Sequence, residues 1–348
     1  MANKSVTDEG FIQDYIPKVS RTFALAIKFL PAPLKNSFYT SYLLCRVADT
    51  LEDTPYLSYS EKSIRLKRLR SLLLGAIDGA EFDLDAVSSI YESVNPSESD
   101  DHRLLSDSTR LFEILNTLPE SHKNAIYGSV AEMAEGMAEY SRMSGENNGR
   151  VLSLKDLSDW DRYCHFVAGT VGSMLTELFI LHYNFDQEIS AGLKRLGDSF
   201  GLGLQKVNVI KDVPDDRERG VCYLPGDILS KHNLRASLLS EKSESSKIIP
   251  FVTELVQLTV PHLDDAMEYA VLIPRHLKGV RMFLVVPVFL AIETLTLINS
   301  NPVMAMTGPP LKLSRGDVRR LVGAATIRIS SDKKLVEYFR CLRDKLVS

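Results

Sequence analysis

Cysteine is scarce and unpatterned: Cys45, Cys164, Cys222 and Cys341 lie far apart, with no C-x-x-C among them. Neither a zinc site nor a disulfide framework is indicated, and reduced cytosolic thiols are the simplest reading. A surplus of positive charge is missing too. The formal net charge of −4 gives no electrostatic case for nucleic acid or an anionic membrane surface as partner. The stretch from Met1 to Gly10 carries no apolar h-region, so no secretory signal is expected. The longest apolar run, Met282 to Ile298, is interrupted by Pro287 and Glu293. It is short for a membrane span and reads as a buried helix. Arg340 to Ser348 reads as a polar helix tail, not an anchor. Convincing strand alternation is absent.

What remains is helical periodicity on an ordinary globular composition, with 45% hydrophobic and 25% charged residues in 348, enough to bury a large core. The apolar spacing predicts helices over residues of about 11–29, 34–53, 61–75, 109–118 and 119–145. Others follow from Ser153 or Ser158 through Trp160 to Tyr183, and over about 187–213, 248–269, 278–300 and 315–345. Pro55 stops the second helix. The Arg- and Lys-rich side of Glu61–Gly75 reads as a solvated face. Asn95–Asp101 and Asn147–Gly149 are turns, and the polar Ser237–Lys247 stretch reads as a flexible loop. No linker or fixed-period repeat divides the chain. The pattern implies one all-α domain spanning 1–348.

Two stretches carry chemistry. Gln205, Asn208, Asp212 and Asp216 step by three, four and four, so on one helix they share a face. Amide and carboxylate oxygens set among Leu204, Val207, Val209 and Ile210 are costly to bury alone. Hard cations such as Mg²⁺ want such ligands, and Mg²⁺ commonly bridges to substrate phosphates. Lys206, Lys211, Arg217 and Arg219 interleave with the acids, as a site handling phosphate would require. A solvated helix end with charge pairs is the alternative.

The second stretch lies about 160 residues upstream. Asp49, Glu52 and Asp53 converge at i, i+3 and i+4, where three carboxylates repel unless a cation sits among them, and Arg46 shares their face. If the two helices face each other, carboxylates line opposing walls of an apolar cavity. Such a cavity suits a diphosphate head with a hydrocarbon tail.

Ser20-Arg21-Thr22-Phe23, Tyr42-Leu-Leu-Cys-Arg46-Val-Ala-Asp49-Thr-Leu-Glu52-Asp53, Tyr163-Cys-His165-Phe-Val-Ala-Gly169 and Gln205-Lys-Val-Asn208-Val-Ile-Lys211-Asp212 together resemble the squalene synthase family, in order and over nearly the whole chain. The wider group includes phytoene and dehydrosqualene synthases. The resemblance implies a single-domain isoprenoid-synthase helical fold, with a central hydrophobic cavity between two Asp-rich helices. It also implies a Mg²⁺-dependent prenyltransferase that joins two farnesyl diphosphates head to head through presqualene diphosphate, with NADPH supplying hydride. Asp49, Glu52, Asp53, Asn208, Asp212 and Asp216 match the metal ligands, and Asp49, Asp53, Asp212 and Asp216 rank with Tyr163 as catalytic.

Tyr163 matches the tyrosine proposed to assist proton transfer as the cyclopropane closes. Ser20, Arg21 and Phe23 match a flap over the substrate, and Tyr42, Arg46, Gln205 and Lys211 match substrate contacts. Gly136 matches a cavity-lining position, where its interior-helix cost of about 1 kcal/mol relative to alanine favours a packing reason. Arg21, Arg46 and Lys211 also match NADPH contacts, and Lys312-Leu-Ser-Arg315 resembles the basic loop over that cofactor. His165 reads as a satisfied structural histidine.

Three departures stand out. Pro214 disfavours helix at Val213 and removes a donor, so a bend is expected between Asp212 and Asp216. Lys211 stands where the family has arginine and lacks the bidentate fork. Arg281-Met-Phe-Leu-Val-Val-Pro287-Val288 is apolar where squalene synthases carry amides. The expected protein is cytoplasmic or peripheral to a membrane, without an anchor, and a monomer or weak oligomer. A non-reducing head-to-head synthase giving presqualene diphosphate, dehydrosqualene or phytoene is one alternative, and another terpene synthase a second. A non-catalytic helical partner protein is the alternative of another class.

Overall fold

In the computed structural model, which describes residues 8–19, 26–146 and 152–347, proline and short polar side chains set where helices begin and end. Pro31 precedes the Ala32–Asp53 helix, whose early Pro33 has no need of an N–H donor there. That helix stops at Thr54, before Pro55. Ser58 and Glu61 form a reciprocal capping box for Tyr59–Ile77. Asp186 caps Gln187–Lys211 by accepting the Ile189 N–H at 2.8 Å.

The chain folds as two compact units. One holds the residues up to Arg142 together with Met174–Phe185. Within it the Ala32–Asp53 helix packs against Asp8–Val19, Tyr59–Ile77, Asp100–Ser106 and Ser108–Asn116. The other holds Met143–Ser173 and the chain from Asp186 onward. Its centre is the pair Gln187–Lys211 and Ser245–Leu272, with Lys278–Ser300 laid on both.

Glycine sets the closest approach in this second unit. A Cβ on Gly172 would strike the Gly197 carbonyl, and one on Gly201 the Ala168 carbonyl. The backbone that follows Tyr163 therefore lies directly on the Gln187–Lys211 helix.

Several sequence expectations are corrected. The helix bearing Trp160 is capped by Asp156, which accepts the Asp159 N–H; Ser153 lies in a strand and Ser158 inside the helix. The run to Tyr183 is not uniform, because His165–Gly169 widens into a π turn in which the Thr170 N–H reaches back to His165 O. A short parallel ladder pairs Leu152–Leu154 with Val221–Pro225, where the sequence pattern predicts no strand. Ser237–Lys247 contains short 3₁₀ turns and the start of Ser245–Leu272 instead of an irregular loop. The last helix is two, Arg315–Arg328 and Asp332–Val347. Ser331 restarts the chain there, its Oγ accepting the Lys334 N–H at 3.4 Å.

By length and composition, Leu157–Tyr183 and Lys278–Ser300 could each cross a membrane. Lys278–Ser300 runs 23 residues, so brevity does not argue against a span; burial does, with 67% of its most apolar window packed inside. It is a core helix, as the apolar run implied. All four cysteines are free thiols, and burial pushes the Cys222 thiol up to about 12.

Candidate functional site

The upstream acids end the Ala32–Asp53 helix. Arg46 grips Asp101 with two hydrogen bonds, Nε to Oδ1 at 2.8 Å and Nη2 to Oδ2 at 3.2 Å. Its Nη1 also lies 3.6 Å from Asp49 Oδ2. Arg46 is thus fixed between the acid cluster and the Asp100–Ser106 helix. Burial raises the Asp49 carboxyl to about 6, Asp53 and Asp101 push the same way, and Arg46 opposes them. Glu52 is half-buried and Asp53 exposed. Tyr42 donates to Val19 O at 3.3 Å, and Gly136 is buried in the Glu120–Glu146 helix.

In the other unit, the expected bend is real and lies at Asp212, with φ −95° and ψ 8°. There Gln187–Lys211 ends and Val213–Glu218 begins with Pro214 in its first turn. The bend costs little hydrogen bonding. Asp212 N–H still reaches Asn208 O at 2.8 Å and Asp216 N–H reaches Asp212 O at 2.9 Å.

The four stepped residues then differ in exposure: Gln205 and Asp212 are half-buried, Asn208 is exposed and Asp216 buried. Lys211 Nζ holds Asn208 Oδ1 at 3.0 Å and Asp212 Oδ2 at 3.2 Å, which sets its charge on the accessible part of the acid-and-amide face. Burial raises the Asp212 carboxyl against the pull of Lys211. Asp216, 5% exposed, is bound by Arg219 Nη2 at 2.5 Å. The other interleaved cations point elsewhere: Arg217 donates to Met306 O at 3.3 Å, and Lys206 is buried.

Tyr163 is 4% exposed and stacks on Tyr223, with centroids 4.1 Å apart and planes 8° from parallel. Tyr223 lies in the short ladder, whose register slips between Ser153 and Leu154, from Ser153↔Cys222 to Leu154↔Pro225, so Tyr223 and Leu224 are the extra residues on their strand. His165 is satisfied structurally, Nδ1 lying 2.6 Å from Asp198 Oδ1. Lys312 and Arg315 are exposed on the approach to Arg315–Arg328. Ser20, Arg21 and Phe23 lie outside the described residues.

Residue spacing does not reveal Asp101 as the partner of Arg46. Arg46 and Asp101 are 55 residues apart, with no local signal; the Arg219–Asp216 pair, at i and i+3, is visible in the sequence.

The donors around both acid clusters are all oxygen, which suits a hard cation. Among the described residues, no three His, Cys, Asp or Glu side chains close into a metal cage.

A family model described as squalene/phytoene synthase matches residues 16–317. Squalene synthase of Schizosaccharomyces pombe is 30% identical over 87% of this chain and 62% of its own length. That of Cyberlindnera jadinii is 30% identical over 81% and 60%, and that of Bos taurus 28% over 82% and 63%. The chain therefore spans about three fifths of these relatives. Among solved structures, TcSQS with the ligand BPH1237 aligns with a TM-score of 0.74 at 22% identity, covering 98% of this chain and 97% of that one. A dehydrosqualene synthase with ligand aligns with 0.66 at 20%, covering 96% and 97%. At these identities the structures establish the helical fold.

Proposed function

Because the chain belongs to the squalene/phytoene synthase family, we propose that it is a squalene synthase. It joins two farnesyl diphosphates head to head, through presqualene diphosphate, and reduces that intermediate with NADPH. The observation that carries this is the completeness of both acid clusters with their cations: Asp49, Glu52 and Asp53 beside Arg46, and Asn208 and Asp212 beside Lys211. A half-buried Asp49 set beside Asp53 and Asp101, its carboxyl raised by burial, supports a working site over a protein that kept only the fold.

Asp49, Glu52 and Asp53 would hold Mg²⁺ on the one unit and Asn208 and Asp212 on the other, with Asp216 joining only if it leaves Arg219. Bound there, Mg²⁺ would supply neutralising charge for a departing diphosphate. The chain's own residues do the rest. Lys211 and Arg46 offer charge to phosphate oxygens, Lys211 as a point charge and Arg46 as the remaining edge of a guanidinium already committed to Asp101. Tyr163 presents its hydroxyl from a ring clamped on Tyr223 and helps move the proton lost on cyclopropane closure. Exposed Lys312 and Arg315 supply positive charge for an anionic dinucleotide.

A lipid product partitions into a bilayer, which fits a cytoplasmic protein in peripheral contact with a membrane. A second reading stops before reduction, and the buried Met282–Val286 segment favours it by offering no polar side chain. Incubation with farnesyl diphosphate and Mg²⁺, with and without NADPH, separates the two by the lipid formed. Squalene supports the first, dehydrosqualene or presqualene diphosphate the second.

A further inference from the structure

Lys206 is 1% exposed, among the most buried charged side chains described. Its Nζ lies 2.5 Å from Asp161 Oδ1, 2.9 Å from His262 Nε2 and 4.7 Å from the ring centroid of Trp160. Three helices of one unit meet at this ammonium: Leu157–Cys164, Gln187–Lys211 and Ser245–Leu272.

The proton inventory gives the cluster a direction. An ammonium only donates, so His262 Nε2 accepts and the ring is neutral, with its proton on Nδ1. Nδ1 lies 2.8 Å from Ser199 Oγ, so the imidazole donates there. The Ser199 hydroxyl in turn donates to Asp265 Oδ2 at 2.7 Å. Asp161 Oδ1 is buried without an aligned hydrogen bond, so it meets Lys206 through charge. Asp161 stands two residues before Tyr163, and Lys206 lies between Gln205 and Asn208.

We propose that Lys206 is a positioning residue, an ammonium clamp that fixes the helix of Tyr163 against the helix of Asn208 and Asp212 and opens when His262 takes a second proton. The activity readout rests on the function proposed above; the clamp itself rests on geometry.

The charged groups facing His262 are Lys206 and Asp198 from Gln187–Lys211, Asp161 from Leu157–Cys164 and Asp265 from its own helix. Burial first and Lys206 second hold its protonation below the ordinary 6.5, against the three carboxylates. Protonated His262 cannot accept from Lys206, and two cations then meet without a shared lone pair. The clamp is therefore closed at neutral pH and opens in acid.

Trp160 is the only tryptophan, so its fluorescence reports the ammonium over its ring without any substrate. Emission of the wild-type protein is expected to step at a pH below 6.5. The step should vanish in His262→Gln and in Lys206→Met. In the activity assay, Lys206→Met is expected to lower kcat by about 10²-fold through misplacement of the reacting groups, with KM for the prenyl diphosphate changed less than about threefold. Lys206→Arg should recover part of the loss, and His262→Gln should flatten the acid limb of the pH profile.

Lys206→Met/Asp161→Asn removes both charges and keeps the fold testable if the single variant does not fold. A wild-type protein without the fluorescence step, or a Lys206→Met protein with wild-type kcat, overturns the clamp. An inactive wild-type protein that still shows the step, lost in both variants, overturns the proposed function and leaves the clamp standing.

Discussion

Arg219 Nη2 lies 2.5 Å from Asp216 Oδ1, so the last acid of the stepped face is already held by a cation of its own chain. The two acids flanking Pro214 therefore do different work. Asp212→Asn is expected to weaken Mg²⁺-dependent diphosphate release by about 10²-fold or more, and Asp216→Asn by clearly less. Mg²⁺ titrations of diphosphate release check this; equal losses would contradict it. Arg219→Ala should instead destabilise the fold, by about 1–2 kcal/mol after discounting for the exposure of the arginine, as read by urea unfolding.

Asp49 predicts a trade between stability and chemistry. Its folded value, about 6, is raised above 3.8, so between those values the folded chain holds a proton that the unfolded chain has released. Stability from this group is present below pH 3.8 and is lost as pH rises through about 6. At pH 7 the ionised carboxylate is a net cost. Asp49→Asn should stabilise the metal-free protein by about 1–2 kcal/mol, a figure discounted for the 30% exposure of the side chain. The same variant should lose Mg²⁺-dependent activity. Paired thermal melts at pH 5 and pH 7 test the sign: the gain should shrink at pH 5.

Much of this is legible in residue spacing. The helix of Asp49 and that of Asp212 are readable from apolar periodicity and from prolines at their ends, and the stepped oxygens mark the candidate site. Lys206 shows where spacing fails. One position from Gln205, it reads as a phosphate-handling cation, yet it is buried against Asp161 and His262 because those partners arrive from other helices. Asp101 is hidden for the same reason, lying 55 residues from Arg46. Tyr223, which stacks on Tyr163, stands at a register slip in a ladder of so few residues that no alternation could announce it. The break before Asp332 is of another kind, since Ser330-Ser331-Asp332 is a cap signal that the apolar periodicity on either side overrides.

Tyr163→Phe should leave the stack on Tyr223 intact, with a stability change under about 1 kcal/mol. It should lower the rate of cyclopropane formation by about 10²-fold. Tyr163→Ala removes the ring and should cost about 3–5 kcal/mol. Rapid-quench analysis of presqualene diphosphate alongside urea melts separates the hydroxyl from the ring.

Gly201→Ala tests the close helix contact that carries Tyr163. The added Cβ meets the Ala168 carbonyl, which is backbone and cannot swing aside. A loss of about 1–3 kcal/mol is expected, with product formation falling more steeply than stability at temperatures where the fold persists. An unchanged melt would show that the two helices separate freely.

The central claim is tested most directly by identifying the lipid made from farnesyl diphosphate and Mg²⁺ in the presence of NADPH, with the Asp49→Ala and Asp212→Ala proteins run beside the wild type. Squalene from the wild type alone is the predicted result. Equal product from either variant would contradict the account, as would a wild-type protein that leaves farnesyl diphosphate unconsumed.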